Sequence, residues 1–201
     1  MTAGQPRPVG LAEEASPPDG TDAAAITASL AAPERFAALF DRHAPRLHSY
    51  VARRLGPGAA DDVVAETFLV AFQRRARYDL AHPDAAPWLY GIATNLIRRH
   101  RRDEVRLFRA VARAAADTPA EPLADQVTGR LDAAATRGPL ARALARLPGG
   151  QRDVLLLVAS GLTVTETATA LHVPPGTVAS RLARARRKIR AELGAAGTPE
   201  E

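Results

Sequence analysis

Apolar residues recur every three or four positions along most of the chain and nowhere alternate with period two for long, a pattern that predicts an all-α protein. Phe36, Leu39, Phe40 and His43 share one helical face, Pro45 resets or kinks the chain, and Leu47, Tyr50, Val51 and Leu55 continue the stripe to Gly56. After a Pro57-Gly58 turn, Asp61 and Asp62 can cap a helix that buries Val64, Phe68, Ala71 and Phe72. A loop from Asp79 to Ala86 leads to Pro87, which suits the first turn of a helix burying Trp88 or Leu89, Ile92, Ala93 and Leu96. That helix ends in Arg98, Arg99, His100, Arg101 and Arg102.

Nearer the C-terminus, Pro139 opens a short helix with Leu140, Leu144 and Leu147, ended by Pro148. A second helix runs from about Gln151 to Ser160 and stops at Gly161. Thr163-Val164-Thr165-Glu166 is a capping box, with the Glu three residues after the Thr, and the helix it starts buries Val164, Ala168 and Leu171. After a turn at His172-Val173, Pro174-Pro175-Gly176 opens a last helix with Val178, Leu182, Ala185, Ile189 and Leu193 on one stripe. At ~100° per residue, Thr177, Arg181, Arg184 and Lys188 lie together to one side of that stripe.

Composition changes this picture in two ways. Of 201 residues, 44 are Ala and only 44 are Leu, Val, Ile or Phe, so two small cores fit better than one thick one. Charge then divides the chain. Residues 1–33 carry five of the 16 Pro and a net charge of −3, and read as a disordered tail. Residues 34–105 carry +3 and form the first helical block; residues 106–137 carry +1 and read as a linker with some helix at its start. Residues 138–195 form the second block, with a short tail at 196–201. Of the 27 basic residues, 26 are Arg, and the overall charge of +5 points to a polyanionic partner.

A capped helix of about eight residues, a short turn and a longer basic helix make helix-turn-helix arithmetic. The second helix of such a pair enters the major groove with its N-terminal residues at base edges, here Thr177, Ala179, Ser180 and Arg181. Arg184, Arg186, Arg187, Lys188 and Arg190 suit phosphates. A solvated basic face on a core helix is the alternative, and the capping box, turn length and basic second helix together weigh against it.

The run GLTVTETATALHVPPGTVASRLARAR, from Gly161 to Arg186, resembles region 4 of bacterial sigma factors, above all the extracytoplasmic-function group. His172 stands where that family often has Gly, and His tolerates a left-handed backbone. Phe36 to Phe40 with Ala44 to Leu47, then DDVVAETFLVAF from Asp61, then WLYGIATNLIRR from Trp88, resemble region 2 of the same family, in the family's order. The resemblance implies two small helical domains, a region 2 bundle and a region 4 helix-turn-helix, joined by a flexible linker. It implies −35 element contacts from Thr177, Ser180, Arg181, Arg184, Arg187 and Lys188, and −10 element contacts from Tyr90, Asn95, Arg98, Arg99 and Arg102. It implies docking on core RNA polymerase, on the β′ clamp helices through Asp61, Asp62, Glu66 and Leu69 and also on the β flap, with an anti-sigma protein as a further partner. The family's linker threads toward the polymerase active-site cleft and RNA exit path.

The residues themselves leave some of these roles open. Asp61 and Asp62 also suit the positive end of a helix dipole. Trp88 sits on the apolar stripe and is expected in the core, while Tyr90 suits either the core or stacking on an unpaired base. Without Cys there is no disulfide, thiolate zinc site or Cys nucleophile. His43, His48, His82, His100 and His172 show no metal-binding spacing, and there is no phosphate-binding Gly-rich loop or G-x-S-x-G, so neither enzyme, cofactor nor metal is expected. The longest apolar run, Val154 to Ala159, is too short to span a bilayer, and no signal peptide is evident, so a cytoplasmic protein is expected. The functional expectation is an alternative sigma factor. A free-standing helix-turn-helix regulator and a helical adaptor binding acidic protein are the alternatives.

Overall fold

The computed structural model of the protein describes residues 20–116 and 138–196. All regular structure among them is helical, in eight α-helices with short 3-10 turns between several of them. The first half contains α1 (Asp22–Ala31), α2 (Ala37–Leu55), α3 (Ala60–Arg74) and α4 (Ala86–Ala116). The second contains α5 (Pro139–Ala145), α6 (Gly149–Ala159), α7 (Val164–Leu171) and α8 (Pro175–Ala196). Of the linker expected at 106–137, residues 117–137 lie outside the described residues, and the helix expected at its start is the end of α4.

Helix α1 falls in the stretch that composition assigns to the tail. Its N-cap is local, with Thr21 Oγ1 accepting from the Ala24 amide at 3.2 Å. Only one large apolar side chain, Ile26, anchors it in the core, and the rest of its hold is polar. Asp22 Oδ1 accepts from Arg42 at 2.8 Å, while Asp22 Oδ2 meets His43 Nε2 at 2.6 Å and accepts from the Ala85 amide at 2.9 Å. Burial disfavours the charge on Asp22. The hydrogen bonds from His43, the Ala85 amide and Arg42, with the charge on His43, outweigh it and hold this carboxyl well below the usual range.

Pro45 neither resets nor visibly breaks the chain: α2 runs through it as one 19-residue helix. Pro45 sits on the exposed side, where a carbonyl that loses its intrahelical donor can turn to water. Gly56, at φ 86°, ends the helix with its amide on Ala52 O. Phe40 departs from the buried face that periodicity assigns it and is 48% exposed, its ring tilted against Phe68 at 4.9 Å. Asp61 and Asp62 cap nothing, because α3 starts one residue earlier at Ala60 and places both in its first turn. There they face the helix dipole.

In the second half, Gly161 at φ 104° stops α6, and the expected capping box opens α7. The Glu166 amide donates to Thr163 Oγ1 at 3.2 Å, and the Thr163 amide donates to Glu166 Oε2 at 2.7 Å. His172 takes the left-handed conformation, φ 51° and ψ 48°, and turns the chain into α8. Val178, Leu182 and Ala185 are buried as the stripe predicts, Ile189 is half-buried, and Leu193 and Leu140 are exposed.

The largest departure from expectation lies between the halves. Rather than two separate cores, one continuous apolar cluster runs from Ile26, Tyr50 and Ile97 to Val154, Leu171 and Leu182. Helix α7 lies directly on α4. This packing explains why α7 buries Thr167 and Ala170 as well as Ala168 and Leu171.

Candidate nucleic-acid interface

The helix-turn-helix is assembled by local rules. The capped α7 and the left-handed His172 fix how α8 departs, and the buried Val178, Leu182 and Ala185 fix which side of α8 faces inward. Ser180, Arg184, Arg187 and Lys188 are consequently exposed on its outer side, and Thr177 is half-buried at its start. Ser180 Oγ donates to Thr177 O at 3.0 Å, so that hydroxyl is turned along the helix. Arg181 is half-buried and lies against the first turn of α6, close to Gly150, which ties the recognition helix to the rest of its half.

The candidate −10 surface on α4 is arranged differently. Asn95, Arg99 and Arg102 are exposed. Arg99 lies 3.8 Å from Glu66 on α3, so a candidate polymerase-binding acid and a candidate DNA-binding base are neighbours. Arg98 is engaged: its Nε and Nη2 donate to Asp153 Oδ2 on α6, at 3.1 and 2.7 Å. Tyr90 is buried, packed edge-on against Tyr50 at 5.2 Å, rather than offered as a stacking surface. Its burial has a tertiary cause that periodicity cannot show, since Ser160, Gly161 and Leu162 of the second half help to enclose it. Burial also pushes its hydroxyl pKa up.

Below Tyr90, the Thr94 hydroxyl donates its single proton to Tyr90 O at 2.7 Å. The Tyr50 hydroxyl must therefore be the donor in its 2.8 Å bond to Thr94 Oγ1. This buried network fixes α2 against α4. The loop ahead of α4 is also pre-formed, with the Tyr78 hydroxyl donating to the carbonyls of His82 and Asp84, and the Tyr78 ring against the half-buried Trp88 at 4.9 Å. Asp84 Oδ1 accepts from the Ala86 amide at 2.7 Å as α4 begins.

On α3, Asp61, Asp62, Glu66 and Leu69 are all exposed, and Leu69 is 55% exposed although large and apolar. Asp61 lies 3.2 Å from His48. Asp22, His43 and Asp84 come close enough together to hold a cation. The Arg42 guanidinium and the Ala85 amide already occupy Asp22, and the group works as a hydrogen-bonded anchor for α1.

Three residues outside the predicted set complete the geometry. Asp153 and Arg54 form a buried ion pair, 3% and 2% exposed, in which Asp153 Oδ1 faces Arg54 Nη1 without hydrogen-bond alignment. Gly91, on α4, faces the Ala170 carbonyl of α7 so closely that a Cβ there would sit 2.7 Å from the oxygen. A charged pair in sequence positions 99 residues apart gives no local signal, and Gly91 reads in sequence only as a weak spot in a helix.

A helical protein with a region-2-like bundle and a helix-turn-helix, each presenting arginine-rich helix surfaces, belongs to the transcription machinery by class. The family model for sigma-70 region 2 matches residues 39–107, and that for sigma-70 region 4 matches residues 137–189. The chain is 38% identical over 161 residues to ECF RNA polymerase sigma factor SigL of Mycobacterium tuberculosis, covering 78% of this chain and 87% of that one. It is 32% identical over 165 residues to RNA polymerase sigma factor CarQ of Myxococcus xanthus, covering 81% and 91%. Among solved structures, CnrH in complex with the cytosolic domain of CnrY has a TM-score of 0.61 at 26% identity, over 87% of this chain and 97% of that chain. RpoE of Bartonella quintana, in complex with the anti-sigma factor NepR, shares the fold, with a TM-score of 0.52 at 20% identity over 79% and 96%. The chain belongs to the sigma-70 family of RNA polymerase sigma factors, in its extracytoplasmic-function group. It is an alternative sigma factor that binds core RNA polymerase and promoter DNA and directs transcription initiation.

Proposed function

We propose that promoter recognition is divided between α8 and α4. Helix α8 grips duplex DNA at the −35 element: Thr177, Ser180 and Arg181 lie nearest base edges, and Arg184, Arg187 and Lys188 meet phosphates. Helix α4 holds the melted −10 strand through Tyr90, Asn95, Arg98, Arg99 and Arg102, and Asp61, Asp62, Glu66 and Leu69 on α3 meet the polymerase. Residues 34–105, 106–137 and 138–195 are the corresponding domain, linker and domain, with α1 added to the first.

The observation that carries this reading is the intact helix-turn-helix, whose capped first helix leaves Arg184, Arg187 and Lys188 exposed along one long second helix. Salt-sensitive attraction to phosphates follows from those cations, and base reading from the N-terminal turn. The sigma family is not a class of enzymes, and the bond-making chemistry belongs to the polymerase. The chain accordingly needs no catalytic residue, cofactor or metal of its own. Among the described residues no helix is long and apolar enough to cross a membrane, in keeping with work in the cytoplasm. CnrH and RpoE are each seen with a protein partner, which supports an anti-sigma protein as the regulator of this chain.

Run-off transcription with purified core polymerase on a genomic template library tests the reading. Initiation at a restricted set of templates, only when the chain is added, is the expected result. Failure of the chain to co-purify with core polymerase, together with initiation at none, would overturn it. Operator binding with no polymerase requirement would instead point to a free-standing regulator.

A further inference from the structure

The polar groups at the start of α1 hold more than that helix, because they also bond the loop ahead of α4. The Asp22 and Ala23 amides both donate to Pro83 O, at 3.0 and 3.4 Å, and the Ala85 amide donates back to Asp22 Oδ2 at 2.9 Å. Helix α1 also packs on the 3-10 turn Arg75–Arg77, just before the loop, so it touches both ends of it. Asp22 is buried, and its other partners, Arg42 and His43, belong to α2. One carboxylate thus joins α1, α2 and the residue from which α4 starts. Residues 79–84 are all exposed, so no packed side chain of their own fixes their path. Beyond a local turn at Asp79, the bonds to α1 and those from the Tyr78 hydroxyl to the His82 and Asp84 carbonyls do so.

We infer that Asp22 is a positioning residue for −10 recognition, which braces the loop of residues 78–85 in the shape that presents α4 to the melted strand. The inference rests on the assignment of α4 to the −10 element. A loop fixed in advance loses little freedom when the strand is engaged, whereas a loose one must be ordered at that step. Helix α1, which composition assigns to the tail, is on this account a working part of the first domain. Asp22 itself touches no DNA and acts through the Ala85 amide and the Pro83 carbonyl.

Asp22→Ala tests the brace by removing the acceptor of the Ala85 amide. Tyr78→Phe is the second variant. It frees the same loop from its other side, keeps the ring and leaves α1 untouched, so it carries the test even where Asp22→Ala loses helix content by circular dichroism. Val51→Ala, in the core on α2 and outside the loop's hydrogen bonds, is the control for a general loss of stability. Trp88 is the one Trp in the chain and stands half-buried against the Tyr78 ring at 4.9 Å, so its fluorescence reports the loop directly in the free protein.

Both variants should shift Trp88 emission to the red. In holoenzyme, opening is compared on a promoter from the run-off library and on the same template with its −10 element substituted. Both variants should lower the preference for the intact element by about tenfold, within the range that a small misplacement of a binding group produces. Val51→Ala should keep the preference, because a general loss of stability lowers opening of both templates alike. Unmoved emission in both variants overturns the brace and leaves the promoter reading untouched. A fall in core polymerase binding that accounts for the lost opening also overturns the specific role. Shifted emission with an unchanged preference overturns the positioning of α4, and Asn95→Ala then separates the causes: an unchanged preference there too counts against the −10 assignment itself, whereas a lowered one leaves that assignment standing.

Discussion

Asp153 and Arg54, brought together from α6 and α2, meet where neither has appreciable access to water. Two charges in such a place cost about several kcal/mol each to desolvate, and their attraction and added hydrogen bonds offset that cost only while both are present. Asp153→Ala should therefore destabilise the chain by about 3–5 kcal/mol in urea unfolding, while Arg54→Met combined with Asp153→Leu should recover most of the loss. Equal stability of the single and double variants would show that the pair carries no coupling.

The capping box of α7 is a smaller and more local quantity. Thr163→Ala removes the acceptor of the Glu166 amide and should cost about 1 kcal/mol, with Thr163→Ser close to the parent. Thermal unfolding of the three proteins decides it.

Asp22 predicts a pH dependence. Its carboxyl is held below the usual range, so its stabilising contribution is fully present above the ordinary carboxylate pKa of about 4 and is lost as pH falls through its lower folded value. The stability gap between the parent and Asp22→Asn should be wide at pH 6 and narrow steadily below about pH 4. A gap that widened toward acid would refute this assignment of the charged form.

On α8, Arg184→Ala and Arg187→Ala should each weaken duplex binding at all sequences. Each should also reduce the slope of log affinity against log salt by about one, for the single phosphate left without its cation. Arg181→Ala should weaken −35-dependent initiation as well. It has a second effect, because Arg181 packs on α6 at Gly150 and its removal loosens the half itself. None of the three should reduce binding to core polymerase, which a pull-down would show.

Glu66→Arg should impair polymerase binding and leave duplex binding by α8 intact. It places a second cation beside Arg99, which lies 3.8 Å from the present carboxylate, so a small stability loss accompanies it. Leu69→Asp, on the exposed side of α3, should give the same binding defect without touching Arg99.

Features set by a few neighbouring residues are legible in the sequence. Thr163 and Glu166 announce a cap, Gly161 a stop, and His172 a left-handed turn, because each depends on residues within one helical turn. The inward stripe of α8 is legible for the same reason. What escapes is held by distant partners. Helix α1 is poor in large apolar side chains, and its docking depends on Asp22 meeting Arg42, His43 and the Ala85 amide, up to 63 residues away. Periodicity places Tyr90 either inside or outside, and only the arrival of α6 and α7 decides the matter. Pro45 misleads because a proline on the wet side of a long helix loses one hydrogen bond without losing the helix. Among the site residues, the sequence indicates the outer face of α8 and the acids of α3, but not the carboxylate that Arg98 already holds.

That carboxylate answers two cations from two different helices of the first half, and its loss would fall on them unequally. Arg98, partly open to solvent, can turn to water, whereas Arg54 would be left buried without a counter-charge, so the fork is held mainly for the sake of its inner arm.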